Sequence, residues 1–258
     1  MSELLYEKHD VYAIFTMNRP ERLNALGGAL MEQLDEAIAD FNADPTMRAG
    51  ILTGTGRAFC AGMDLKEAAD RAASGDAVTG VRPQGRVELM DFSRSPKPFI
   101  AAINGLAIGG GCEIALDCDI RIMSSEAYIG LFEPKRGIMA GYAMHHLPRI
   151  VGSTAAAYML LTGDGIEAEQ ALEWGVVSEV VEPERLIPRA VEIAEMIAEN
   201  APLSVRGTKA EIQAWRMASI DDSYRLYQWI DAVVLDSEDA REGPQAFAEK
   251  RDPVWKGR

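Results

Sequence analysis

Two glycine-bearing stretches, Phe59-Cys60-Ala61-Gly62-Met63-Asp64-Leu65 and Asn104-Gly105-Leu106-Ala107-Ile108-Gly109-Gly110-Gly111-Cys112-Glu113, each stand where an apolar run gives way to a helical pattern. The second puts three glycines at a helix start, where the first backbone N–H groups lack intrahelical partners and can point at an anion. That is the makings of an oxyanion or phosphate site, although glycines also serve close helix–strand packing. The spacing is not the G-x-G-x-x-G of a dinucleotide site and no G-K-[ST] loop is present, which disfavours nicotinamide and ATP chemistry. Glu113 falls in the first helical turn, and Glu133 lies in Gly130-Leu131-Phe132-Glu133-Pro134, among apolar neighbours that can desolvate it and raise its pKa. Two such carboxylates can divide general-acid from general-base work. On residue type and spacing alone, a helix-start charge and a solvated loop acid are the commoner identities of such a pair.

Strands and helices must hold these groups. Leu4 to Lys8 and Val11 to Met17 alternate as two paired strands. Leu30, Leu34, Ile38 and Phe41 mark one face of a helix that stops before Asp44-Pro45. Ala49 to Thr53, Phe99 to Ile103 and Ile120 to Met123 read as buried strands. The Gly- and Pro-containing stretch from Glu67 to Pro98 reads as an irregular segment over a pocket. Beyond Ser153 the pattern is helical, with one strand at Val176 to Val181 after a helix stop at Gly175. From Ala201 on the chain reads as wholly helical, with more apolar faces than a small tail can cover, so it docks on its own core or on another subunit.

Composition narrows the partners. The 258 residues carry 26 Lys+Arg against 40 Asp+Glu, a net charge of -14 that repels nucleic acid and anionic lipid. No apolar run reaches the length of a membrane span, and no signal or targeting segment is evident. Cys60, Cys112 and Cys118 make neither a disulfide framework nor a zinc site. Adjacent His145 and His146 point in different directions on a helix and have no third ligand, so no metal is expected. A cytoplasmic enzyme is the expected setting.

Taken in order, the motifs resemble the enoyl-CoA hydratase/isomerase (crotonase) superfamily. They are Asn18-Arg19-Pro20, Asn24-Ala25-Leu26, Phe59 to Leu65, Ala101-Ala102-Ile103-Asn104-Gly105, Gly109 to Glu113, Leu161-Thr162-Gly163 with Ala168 to Val181, Ala201-Pro202-Leu203-Ser204, and Phe247-Ala248-Glu249-Lys250-Arg251. The resemblance implies an α/β fold, a crotonase-like spiral of repeated ββα units over residues 1–200 with the acyl-CoA site, then a helical trimerisation region over 201–258. It implies a homotrimer or a dimer of trimers. It also implies an oxyanion hole formed by the Met63 and Gly110 N–H groups, with Glu113 activating water and Glu133 supplying a proton at C2 of a 2-enoyl-CoA.

Coenzyme A is then part of the substrate, and no metal or redox cofactor is required. Ala61, Asp64 and Leu65 are substrate-binding candidates, with Arg22, Lys66 and Lys250 as candidates for the coenzyme A phosphates. An enoyl-CoA isomerase, an acyl-CoA hydrolase and a non-catalytic acyl-CoA-binding trimer are the competing readings. One stretch departs from the resemblance: Gly141-Tyr142-Ala143-Met144-His145-His146 replaces a glycine-rich run, and its bulk should reshape the acyl pocket.

Overall fold

A computed structural model of the chain describes residues 2–64, 67, 92–217 and 220–258. Among these, the strands form two sheets. The larger contains β1 (Leu4–Lys8), β2 (Tyr12–Met17), β3 (Ala49–Gly54), β5 (Phe99–Ile103), β7 (Ile120–Ser124) and β10 (Glu179–Val181), in that spatial order. Only the β1–β2 pair is antiparallel, with Leu4 opposite Met17. The smaller sheet has the order β4 (Ala58–Cys60), β6 (Leu106–Ile108), β8 (Tyr128–Gly130) and β9 (Gly165–Glu167), with β9 antiparallel to β8.

The continuous apolar runs of β3 and β5 follow from burial on both faces. Successive side chains alternate: Leu52, Phe99, Ala101 and Ile103 join one core, and Ile51, Ile100 and Ala102 join the other. The first core is closed by helix α1 (Leu30–Ala43), where Phe41 meets the Phe15 ring edge-on at 5.5 Å between centroids. Helix α6 (Leu186–Ala198) closes the second with Leu186, Ala190 and Ala194. Between them the chain forms α2 (Gly110–Asp117), α3 (Ala143–Val151), α4 (Ser153–Thr162) and α5 (Ala168–Glu173).

Helices α7 (Pro202–Met217), α8 (Ile220–Leu235) and α9 (Glu238–Glu249) follow. The expectation of a wholly helical tail fails at its end, because residues 252–258 form no helix. There the Asp239 carboxylate accepts from the Lys256 and Gly257 N–H groups and holds the segment as coil. The strand expected from Val176 is confined to Glu179–Val181, since Val176 and Val177 donate back to the Ala171 carbonyl after the turn at Gly175. Lys209 of α7 reaches into the body of the protein, where its Nζ donates to the Phe92 and Lys97 carbonyls at 2.8 and 2.9 Å and pairs with Asp119 at 2.8 Å.

Asn24 fastens the first loop of the site. Its Oδ1 accepts from the Arg19 N–H, and its Nδ2 donates to the Thr55 and Ala58 carbonyls. It does so at φ 56, a left-handed conformation that Asn tolerates better than most residues. Asn24→Ala leaves the Arg19 N–H and the Thr55 carbonyl without this partner and strains the backbone, so stability should fall by about 3 kcal/mol, read as a lower urea midpoint with an unchanged m-value.

Candidate active site

Strands β4, β6 and β8 run parallel, so their C-terminal ends lie side by side. Ligands bind beyond such ends in open α/β sheets. Met63 lies three residues past β4, Gly110 two past β6 and Glu133 three past β8; α2, which starts at Gly110, carries Glu113.

The Met63 loop is shaped by its pairing with Leu26. Leu26 N–H donates to Gly62 O at 2.7 Å and Leu26 O accepts from Asp64 N–H at 3.0 Å, a parallel bridge that turns the Met63 N–H to the opposite side. Gly110 opens a helix, so its N–H has no carbonyl one turn back. Among the described residues neither N–H has a backbone acceptor. The two segments touch: a Cβ on Gly62, whose φ is 79°, would stand 2.9 Å from Gly110 N, and one on Gly111 would overlap the Cys60 carbonyl. Only glycine allows this approach.

Both glutamates are nearly removed from solvent, Glu113 at 4% exposure and Glu133 at 9%. Glu113 Oε1 accepts the Ala143 N–H at 2.9 Å, at the N-terminus of α3, whose dipole favours a negative charge there. Burial nevertheless pushes its pKa up to about 7; the Ala143 N–H pulls it down and the charge of Glu133 raises it again. Burial likewise raises Glu133. Its Oε1 lies 3.3 Å from where a Gly109 Cβ would be, and its Oε2 is buried without a hydrogen-bond partner among the described residues. The Ala143 amide thus supports the Glu113 anion, while Glu133 keeps one oxygen without a partner among the described residues.

The departure at Tyr142 to His146 builds a second rung behind Glu113. Asp117 lies one turn further along α2, on the same face as Glu113. Tyr142 sits at the start of α3 with its hydroxyl facing the Asp117 carboxylate, though Tyr142 Oη and Asp117 Oδ1 do not form a well-aligned hydrogen bond. The Ser93 N–H donates to Asp117 Oδ2 at 3.2 Å. His146 stacks on the Tyr142 ring at 3.8 Å, and burial together with Arg216 lowers its pKa to about 4, so it is neutral near pH 7. His145, by contrast, is exposed. Tyr142 was legible only as bulk; Asp117, Ser93 and Arg216 carried no sequence signal, because their role arises from long-range packing.

The other candidates separate. Ala61 is half-buried and its N–H donates to Leu23 O. Asp64 turns inward, 3.4 Å from Arg19 and accepting the Glu67 N–H, so its carboxylate organises the loop. Arg22 is exposed on a 3-10 turn, Pro20–Arg22, beside Leu23. Lys250 is exposed at the end of α9, and nothing among the described residues joins it to the glycine loops; neighbouring Arg251 is held by Glu242 and Glu249. Leu65, Lys66 and most of the stretch from Glu67 to Pro98 lie outside the described residues. Cys60 and Cys112 are buried, and burial raises both thiols, Cys60 to about 12, as befits packing residues.

These layers and strand ends are those of the crotonase-type α/β fold. An enoyl-CoA hydratase/isomerase from Mycobacterium paratuberculosis superposes with a TM-score of 0.91 at 34% identity, over 100% of this chain and 99% of that one. An enoyl-CoA hydratase from Bacillus anthracis gives 0.89 at 35%, over all of both chains. The family model for enoyl-CoA hydratase/isomerase matches residues 7–258, and the chain belongs to that family of enzymes. Among its relatives, the (E)-benzylidenesuccinyl-CoA hydratase of Thauera aromatica is 39% identical over 95% of each chain. A carnitinyl-CoA dehydratase of Citrobacter koseri is 40% identical over the whole of both.

Because the folded pKa of Glu113 lies above the 4.5 of an unperturbed glutamate, burial costs nothing below about pH 4.5, and stability falls as pH rises toward and through 7. Glu113→Gln removes this cost while its amide oxygen can still accept from Ala143. The variant should gain about 3 kcal/mol over wild type at pH 8 and little at pH 4.5, measured by urea unfolding at both pH values.

Proposed function

We propose that the protein is a hydratase that adds water reversibly across the C2=C3 bond of a 2-enoyl-CoA thioester. The observation that carries this reading is the pair of buried glutamates beside two N–H groups that have no backbone acceptor among the described residues. Ionised Glu113 takes a proton from water as its oxygen bonds to C3. The π electrons move toward the thioester, whose oxygen gains charge between the Met63 and Gly110 N–H groups; each such donor is worth on the order of 3 kcal/mol in a transition state. Glu133, whose pKa burial raises, gives its proton to C2. Addition of water changes no net oxidation state, and in this reading the two glutamates and two N–H groups supply the proton transfers and charge stabilisation, so neither a metal nor a redox cofactor is required.

The relatives named above act on different acyl groups, so the finer substrate is set by this chain's own pocket, where Tyr142 adds bulk beside Glu113. Arg22, Lys66 and Lys250 are proposed to meet the coenzyme A phosphates. The exposed Trp215, Trp229 and Val233, at 58, 78 and 64% exposure on α7 and α8, support burial of 201–258 in a homotrimer or a dimer of trimers. Three free cysteines suit the reducing cytoplasm.

The test follows the loss of conjugated-thioester absorbance over a panel of 2-enoyl-CoAs from short to long. Turnover should appear for at least one, and Glu113→Gln and Glu133→Gln should each lower kcat by several hundred-fold, on the order of the contribution of a positioned acid or base. Near-normal rates in both variants would overturn the assignment. The kcat/KM profile should rise with pH as Glu113 ionises, with its limb near pH 7.

A further inference from the structure

At the N-terminal ends of β3 and β5 the surface opens into a shallow cleft, continuous with solvent, that shares no residue with the glutamate site. Its walls include Arg48 just before β3, Lys97 just before β5, and Asn200, Pro202 and Arg206 at the junction of α6 and α7. In a chain of net charge -14, three cations converge here.

Lys97 is 2% exposed, and its Nζ donates to the carbonyls of Phe41 and Asp44 at 2.6 and 2.5 Å. Among the described residues no carboxylate makes an ion pair with Lys97, Arg48 or Arg206. The nearby acids are engaged elsewhere. Asp44 serves Lys8 and Thr46, and Asp239, the acid facing Arg48, accepts from the Lys256 and Gly257 N–H groups. The cations repel one another: burial and then Arg206 lower Arg48, and burial and then Arg206 bring Lys97 down to about 8. Helix α7 begins at Pro202, so its positive end adds to the field.

We propose that this cleft is a second binding site, for a phosphate-class oxyanion held between the Arg48 and Arg206 guanidiniums with the Lys97 ammonium at its floor. Two planar guanidinium forks match the oxygens of a tetrahedral dianion, and the half-buried setting strengthens each charge-assisted bond. A bound dianion removes the repulsion that the cleft otherwise carries.

The test measures binding of inorganic phosphate, sulfate and glycerol 3-phosphate to the full-length protein by calorimetry, at constant ionic strength and with coenzyme A saturating the substrate site. Phosphate should bind at one site per chain and raise Tm, and Arg48→Gln and Arg206→Gln should each weaken it about tenfold or more. Circular dichroism of both variants checks the fold, and Arg206→Lys, which keeps the charge but loses the fork, should fall between wild type and Arg206→Gln. Tighter binding of the ester identifies a phosphorylated metabolite, and equal binding identifies the free ion. Binding that vanishes with coenzyme A present, or is equal in wild type and both glutamine variants, overturns the proposal.

Discussion

The parallel alignment of three short strands is the constraint on which the site depends. β4, β6 and β8 contribute only three residues each, too few to fix a surface by themselves, yet their register brings three chain segments to the same edge. Met63, Gly110 and Glu133 then lie within three residues of a strand end, where backbone direction is still set by the ladder, and Glu113 follows in the first turn of α2. This explains how amide groups, which any residue carries, acquire a defined aim. The pairing of Leu26 with Met63 extends the same logic to a loop, using two hydrogen bonds to orient a third donor.

Charge at the site is set by competition. Taking Glu113 out of water opposes its ionisation, while the start of α3 supports it, so a carboxylic acid that would ordinarily be ionised is brought to the neutral range. Tyr142 belongs to both sides of this balance. Its backbone is part of the helix start that meets Glu113, and its ring is braced by His146 with its hydroxyl turned to Asp117. A glycine could deliver the amide but not the bracing.

The alternation of β3 and β5 and the apolar face of α1 were legible in the sequence, because periodicity reports burial directly. The glycines before Glu113 were legible as a helix start for the same local reason. The smaller sheet was not, since three-residue strands such as Leu106–Ile108 carry no pattern, and β9 lay hidden in a stretch read as helical. The resemblance picked out the motifs around Asn24 and Asn104 but gave their side chains no role. The structure gives their reason: both side chains tie down carbonyls of the turn leading into β4, Asn24 holding Ala58 and Asn104 holding Gly56 and Ala58. Such bonds join residues more than thirty positions apart and leave no local trace. Lys97 shows the converse error of composition, a lysine that is a core residue by position.

Lys209 has a consequence for the order in which the protein is made. Its amine reaches carbonyls and a carboxylate 90 to 117 positions earlier in the chain. A nascent polypeptide ending before α7 therefore lacks the donor that satisfies Phe92, Lys97 and Asp119. At synthesis rates of about 5–20 residues per second, the body waits roughly 5 to 20 seconds between the emergence of those acceptors and that of the amine that closes them. Through that interval the segment before β5 is an unfinished edge, and the helical tail acts as the latch that ends its exposure.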